Sequence, residues 1–322
     1  MDFSIQLSKK YEIDCQCLYC FSSGIDATDH QKLLEILTNR SLEEIKIIKQ
    51  LYSTLYNQDL LHLLHSSRRS NALAKVAYLR MSEPQLRDAE IIRNSLFGAR
   101  VDLNTLIEVI CTRSSAELHV IKQSYRSQYN SDTEQDVSTK VQGGFKEILV
   151  AVVRSSRNYG GRVDKSMGMC DAKTLYEAME SGRSIDQNTI ISLISQRSTT
   201  QLKSILDSYK ELYGNDLTKS LKRNKCGQFG KDLRVVLRCV QYPEKYFTKK
   251  LRRPVNSFDA QEALIRIIVT RFGVDISNVK SAFRSKAGSS LESLVRGEFN
   301  KNTSEKANSF TAELLIGLLN LS

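Results

Sequence analysis

Few side chains in this 322-residue sequence have a type and spacing that could do chemistry. Cys15, Cys17 and Cys20 form a C-x-C-x2-C triplet. Zinc takes four such ligands, and no fourth is evident, so a structural or incidental role is expected. His62 and His65 share one helix face without the Glu of a zinc-protease motif, and read as solvated or capped. Cys111 and Cys239 sit in apolar stretches, where Cys often fills space as a small hydrophobe. Seven cysteines without a framework spacing are expected to be mostly reduced. No G-x-x-x-x-G-K-[ST] loop and no G-x-S-x-G elbow is present, so neither nucleotide hydrolysis nor acyl transfer is indicated and no enzymatic role is expected. Clustered cations are more conspicuous: Arg68-Arg69, Lys140, Lys222-Arg223-Asn224-Lys225 and Lys249-Lys250-Leu251-Arg252-Arg253. Lys and Arg total 47 against 36 Asp and Glu, a net charge of +11, which suggests nucleic acid, anionic lipid or an acidic protein as partner.

The elements that must carry these residues recur. Arg40, Arg113, Arg197 and Arg271 are separated by 73, 84 and 74 residues. Seven, six, four and three positions before each Arg stand Leu33, Leu34, Ile36 and Leu37; Leu106, Ile107, Val109 and Ile110; Ile190, Ile191, Leu193 and Ile194; and Leu264, Ile265, Ile267 and Ile268. All sixteen are aliphatic, and their spacing marks one buried helix face. Ile45, Leu118, Leu202 and Ile276 stand five positions after the Arg, and Ile48, Ile121, Ile205 and Val279 eight after. Tyr52, Tyr125, Tyr209 and Phe283 stand twelve after, and Leu64, Val137, Leu221 and Val295 twenty-four after. A register held over four segments is the mark of a repeat architecture. The tyrosines could in principle stack bases beside basic residues, but their constant register assigns them to packing.

Helix starts recur too. Ser41–Glu44, Ser114–Glu117 and Ser198–Gln201 read as capping boxes, as does Thr28–Gln31 before the first aliphatic helix, while the fourth segment has Gly273-Val274-Asp275 instead. Period-two alternation is scarce, so the chain reads as nearly all helix, about five helices per repeat. Residues 155–168 are polar and Gly-rich; they read as a connector dividing the chain into two halves of two repeats. The longest apolar run, residues 148–153, is far short of the ~18 that a spanning helix needs. The N-terminus lacks the apolar core of a signal peptide and no lipidation motif is seen, so a cytoplasmic protein is expected.

Four helical repeats with extra length between the second and third resemble the annexin core over about residues 12 to 321. LLEILTNR, LIEVICTR, ALIRIIVTR and KSILDSYKELYGNDLTKSL carry the resemblance, and YLRMSEPQLRDAEIIRNSL and CVQYPEKYF resemble plant annexins in particular. It implies an all-α fold: four repeats forming a curved disc, with 1–11 a short N-terminal segment, 12–82 and 84–154 the first two repeats, 155–167 the connector, and 168–243 and 244–321 the last two. It also implies calcium and anionic phospholipid as ligands, a peripheral membrane location, a structural role for the recurrent Arg, and the redox role attributed to the paired cysteines of plant annexins, here Cys111 and Cys239.

The family's calcium loop, Lys-Gly-x-Gly-Thr-Asp/Glu, is completed by a carboxylate late in the repeat, because calcium takes six to eight hard oxygens. Here the loops read Gly24-Ile-Asp-Ala-Thr-Asp29, Phe97-Gly-Ala-Arg-Val-Asp102, Ser181-Gly-Arg-Ser-Ile-Asp186 and Val255-Asn-Ser-Phe-Asp-Ala260. None keeps both glycines; Gly24, Asp29, Gly98 and Gly182 are the remnants. The carboxylate position, 27 residues after the Arg, holds Ser67, Lys140, Asn224 and Glu298, and Glu298 alone could serve. All four sites are incomplete, so calcium dependence is expected to be weak or lost. The cations at these positions could reach lipid phosphate directly: Arg68, Arg69, Lys140, Lys222, Arg223, Lys225, Lys249, Lys250, Arg252 and Arg253. Peripheral binding to anionic phospholipid is the function expected. The alternative is a protein-interaction scaffold without membrane binding, its partner unspecified. Nucleic-acid binding rests on net charge alone and is disfavoured.

Overall fold

The computed structural model describes residues 2–25, 28–155, 162–180, 184–223, 226–252, 257–299 and 306–321. Among these there are twenty helices and no strand. They fall into four sets of five. The first is α1 (Asp2–Ser22), α2 (His30–Asn39), α3 (Leu42–Tyr56), α4 (Leu60–Ser67) and α5 (Ala72–Met81). The second is α6 (Pro84–Phe97), α7 (Leu103–Thr112), α8 (Ser115–Tyr129), α9 (Thr133–Lys140) and α10 (Gly144–Ser155). The third is α11 (Lys165–Glu180), α12 (Gln187–Gln196), α13 (Thr199–Tyr213), α14 (Leu217–Ser220) and α15 (Gly227–Gln241). The fourth is α16 (Pro243–Leu251), α17 (Ser257–Arg271), α18 (Ile276–Ala287), α19 (Leu291–Phe299) and α20 (Lys306–Asn320).

The recurrent apolar columns form the core. Of the sixteen aliphatic positions before the Arg, fourteen are buried, and Leu34 and Ile191 are half-buried. Tyr52, Tyr125, Tyr209 and Phe283 are buried as well, and hydroxyls that enter the core find partners: Tyr52 with Ser22 at 2.9 Å, Tyr125 donating to Asp136 at 2.7 Å. These rings are packing residues.

Each third helix of a repeat ends alike. Its C-cap, seventeen residues after the Arg, is Asn57, Asn130, Gly214 or Gly288, with φ of 51°, 48°, 69° and 70°. Only Gly and, less easily, Asn hold this left-handed conformation cheaply, so the residue choice sets the stop.

At Ser41 and Ser114 the helix starts are as the sequence predicts, with both halves of the capping box present. At Ser198 only half forms. Its Oγ accepts from Gln201 N, while the Gln201 side chain clamps the Asp164 backbone, accepting from its N–H at 2.9 Å and donating to its carbonyl at 2.7 Å. At the first loop the cap is Asp29, not Thr28: a carboxylate accepts the Lys32 amide at 2.9 Å, and the Thr28 hydroxyl donates to Ile25 O instead. The connector is shorter than its composition suggested. Helix α11 starts at Lys165, with the Asp164 carboxylate accepting from Met167 N, and residues 156–161 lie outside the described residues.

The division into halves needs correction. One compact unit holds residues 1–83 with 247–322, and the other residues 84–246. The first repeat thus groups with the fourth, and the second with the third. The cause lies in packing across the connector: α10 lies against α12 and α15 in one unit, and α20 against α2 and α5 in the other.

Candidate functional site

The anchor arginines hold together the helices that carry the loops. Arg40 Nε donates to Asp14 at 2.7 Å, Arg113 Nε to Asp88 at 2.6 Å and Arg197 Nε to Asp171 at 2.6 Å. The aspartates lie 26, 25 and 26 residues before their Arg, on the first helix of the repeat. In the fourth repeat those places hold Lys245 and Tyr246, and Arg271 Nε instead donates to Asp275 at 2.6 Å. Burial works against the charge of Asp88, but Arg113 and Arg87 outweigh it and hold the carboxyl below its usual range. These arginines are structural.

In the first loop, Gly24 has φ of 70° and Ile25 is exposed, while residues 26–27 lie outside the described residues. Asp29 uses one oxygen as the cap of α2. At the acid position, Ser67 donates its hydroxyl to Leu63 O within α4. Arg68 lies over the Tyr78 ring at 4.6 Å, and Arg69 is exposed.

The second loop is described throughout. Gly98 closes α6, its N–H donating to Asn94 O at 3.1 Å. Asp102 caps α7, accepting from Thr105 N at 3.1 Å. Lys140, at the acid position, ends α9 with its ammonium 4.7 Å from the centre of the Phe97 ring. Arg93 approaches the same ring to 3.6 Å and pairs with Asp136 at 3.1 Å. The cation at the acid position thus lies against the residue that opens the loop. This loop's donor set does not fit calcium: its sole carboxylate is the capping Asp102, and an ammonium stands where a second is needed.

In the third loop, Gly182 and Lys225 lie outside the described residues. Asp186 caps α12 and also accepts the Thr189 hydroxyl at 2.6 Å. Lys222 is exposed, and Arg223 pairs with Glu180, the last residue of α11, so its charge is compensated. In the fourth, Lys249 and Lys250 close α16, and Arg252 follows, exposed. Arg253 and loop residues 254–256 lie outside the described residues. Glu298 is half-buried on α19, and its backbone carbonyl accepts from Gln261 of α17 at 2.9 Å; the expected loop residues 257–260 are themselves the first turn of α17.

The cysteines point apart. Cys15 donates to Ile48 O and Cys17 to Asp29 O, and burial pushes both thiols up to about 12. Cys111 and Cys239 are buried in α7 and α15, and burial raises the Cys111 thiol as well. His65 packs edge-on to Tyr78. Among the described residues no group of three or more His, Cys, Asp or Glu could hold a metal ion.

Sequence reading missed Phe97, Arg93 and Glu180. The signal was present, because counting from the repeat's aspartate places Arg93 where the other repeats have Tyr19 and Tyr176, and Phe97 where they have Ser23 and Glu180.

An all-α array of four five-helix sets, each carrying the recurrent arginine, defines the class of helical repeat proteins. The annexin family model matches residues 14–73, 87–152 and 170–236, and the chain belongs to the annexin family. It is 33% identical to annexin A13 of Homo sapiens over 279 residues, 85% of this chain and 88% of that protein. It is 32% identical to annexin D5 of Arabidopsis thaliana over 271 residues, 84% and 85% of the two chains. Animal and plant relatives thus stand about equally near. The solved structure of annexin III superposes with a TM-score of 0.79 over 94% of each chain, at 24% identity, which speaks to the fold alone. Annexins are generally non-enzymatic proteins that bind phospholipid in a calcium-dependent way. No described helix is long and apolar enough to cross a membrane.

Proposed function

We propose that this annexin binds anionic phospholipid surfaces peripherally, with calcium dependence weak or absent. The observation that carries the reading is Lys140, a fixed cation lying against Phe97 at the mouth of the second loop. Calcium in this family joins protein oxygens to lipid phosphate; an ammonium held at the same place attracts phosphate without a bridging ion. Arg68, Arg69, Lys222 and Arg252 extend this chemistry to the other loops, and each cation near an anionic surface contributes about 1 kcal/mol.

The test is co-sedimentation with phosphatidylserine vesicles at about 0.15 M salt, where screening is physiological, in chelator and in millimolar calcium. Sedimentation is expected in both. Reversing charge at Arg68, Lys140, Lys222 and Arg253 together should weaken chelator-resistant binding more than about 100-fold, from about 1 kcal/mol per cation removed. Binding in calcium alone would overturn the calcium-independent reading. Binding in neither condition would leave the scaffold alternative standing.

A further inference from the structure

Helix α15 carries a line of cations away from the loops. Lys231, Arg234 and Arg238 follow one another at three and then four residues, a spacing that puts them on one helix face. Lys231 and Arg238 are exposed, and Arg234 is half-buried. Asp232 does not offset the arginines. It is buried, turned towards Gly144 at the start of α10, and accepts from Gln228 at 2.7 Å.

The contrast is with the anchor arginines. Arg40, Arg113, Arg197 and Arg271 each donate to a carboxylate. Arg234 Nε is buried and has no hydrogen-bond partner among the described residues. The charge that acts on Arg234 is a second cation, Arg238, whose repulsion adds to the cost of burial. Arg238 lies in the last turn of α15, where the helix dipole compensates a cation in part; Arg234, a turn earlier, gains little from it. The position is unusual within the repeat as well. Thirty-seven residues after the anchor Arg, the first two repeats have Ala77 and Val150, both buried, where the third has Arg234.

Such a guanidinium costs stability, because a donor has left water without finding an acceptor. An acceptor supplied from outside the chain removes that cost. Two guanidiniums about 6 Å apart along a helix match the several oxygens of one phosphate, which accepts from both forks at once. We infer that Arg234 and Arg238, with Lys231 beside them, form a binding site for a phosphate group on the exposed face of α15. The site goes beyond the membrane reading and does not rest on it. Helix α15 starts at Gly227, just past the acid position of the third repeat, and Arg234 and Arg238 lie about 10 and 16 Å further along its axis. That distance favours a soluble phosphate compound; a lipid headgroup is the other source of the same chemistry.

The probe is inorganic phosphate, titrated into the full chain at constant ionic strength, with chloride as the reference and calorimetry as the readout. The variants are Arg234→Met, which keeps an apolar stem, Arg238→Gln at an exposed position, and the two combined. Lys173→Gln removes an exposed cation from α11 and controls for net charge. Circular dichroism verifies that each variant is folded. The wild type is expected to bind phosphate, the double variant about tenfold more weakly or worse, and Lys173→Gln as the wild type does. Arg238→Gln alone should also lose affinity, so the site stays testable if Arg234→Met does not fold. Co-sedimentation of the double variant with phosphatidylserine vesicles in chelator separates the sources. Sedimentation equal to the wild type assigns the site to a soluble phosphate compound, and about a tenfold loss assigns it to a lipid headgroup. No phosphate binding by the wild type, undiminished binding by the variants, or an equal loss in Lys173→Gln would overturn the site. The loop-based membrane reading would stand in each of those cases.

Discussion

A guanidinium taken out of water must keep its counter-charge. Arg113 and Asp88 are both nearly inaccessible and joined at 2.6 Å, so Asp88→Ala leaves a buried cation uncompensated and should cost about 3–5 kcal/mol in chemical denaturation. Asp171→Ala should cost less, because Arg197 keeps 24% of its side chain in solvent. The folded-state pKa of Asp88 is depressed, so its contribution is present above the unfolded value of about 3.9 and disappears as pH falls through the folded one. The gap between wild type and Asp88→Ala should therefore be widest near neutrality and close in acid. The arginine column was legible as a fourfold pattern, and so, in retrospect, were aspartates at a nearly constant offset. Their pairing was not, because it depends on how the first helix of a repeat crosses the Arg, which hydrophobic periodicity does not fix. Phe97 escaped for a similar reason: its neighbours Arg93 and Lys140 are 4 and 43 residues away in sequence, and only the fold gathers them.

Helices in this chain are bounded by local chemistry, which is why most of them could be read from sequence. The Ser41 and Ser114 boxes needed only four consecutive residues each. Glu44 does more than close its box, since it also accepts from Lys10 of α1 at 2.8 Å and so ties α1 to α3. The Lys10 ammonium and the Ser41 amide push its carboxyl down to about 2. With an unfolded value of about 4.3, this stabilisation is complete above that pH and is lost as pH falls towards about 2. Glu44→Ala should lower stability by about 1 kcal/mol at pH 7, and thermal scans of variant and wild type should converge only as pH falls to about 2. Where local signals competed, the stronger one decided. Asp29 displaced Thr28 as cap because its carboxylate is the better acceptor at a helix N-terminus, where the macrodipole favours negative charge. The polar, Gly-rich stretch after α10 misled in its last residues, since the Asp164 cap and the Gln201 clamp draw residues 165–168 into helix. Neither the Asp164 backbone nor Gln201 carries that clamp as a local sequence signal, as they stand 37 residues apart.

At the scale of the chain, the repeat register gave the number and content of the repeats but not their partnership. The grouping of first with fourth and second with third follows from which faces α10 and α20 bury, and no local pattern encodes a contact between segments so far apart. The fate of calcium is likewise a property of the whole chain, because it depends on four loops together. A ligand that binds only the folded state stabilises it by RT ln(1 + [L]/Kd), so one site with a Kd of about 10 µM would add about 2.7 kcal/mol in 1 mM calcium, and several such sites would add their increments. The second loop offers a lysine where that affinity needs a carboxylate, and the first offers a serine already bonded within its helix. Differential scanning fluorimetry without lipid should therefore find the melting temperature in 1 mM calcium within about 1 °C of that in chelator, less than even one tight site would give. A rise of several degrees would show that oxygens outside the loop pattern assemble a site. Glu298→Gln would then locate it: loss of the rise would place the ion in the fourth repeat, beside the one acid that stands at its expected position.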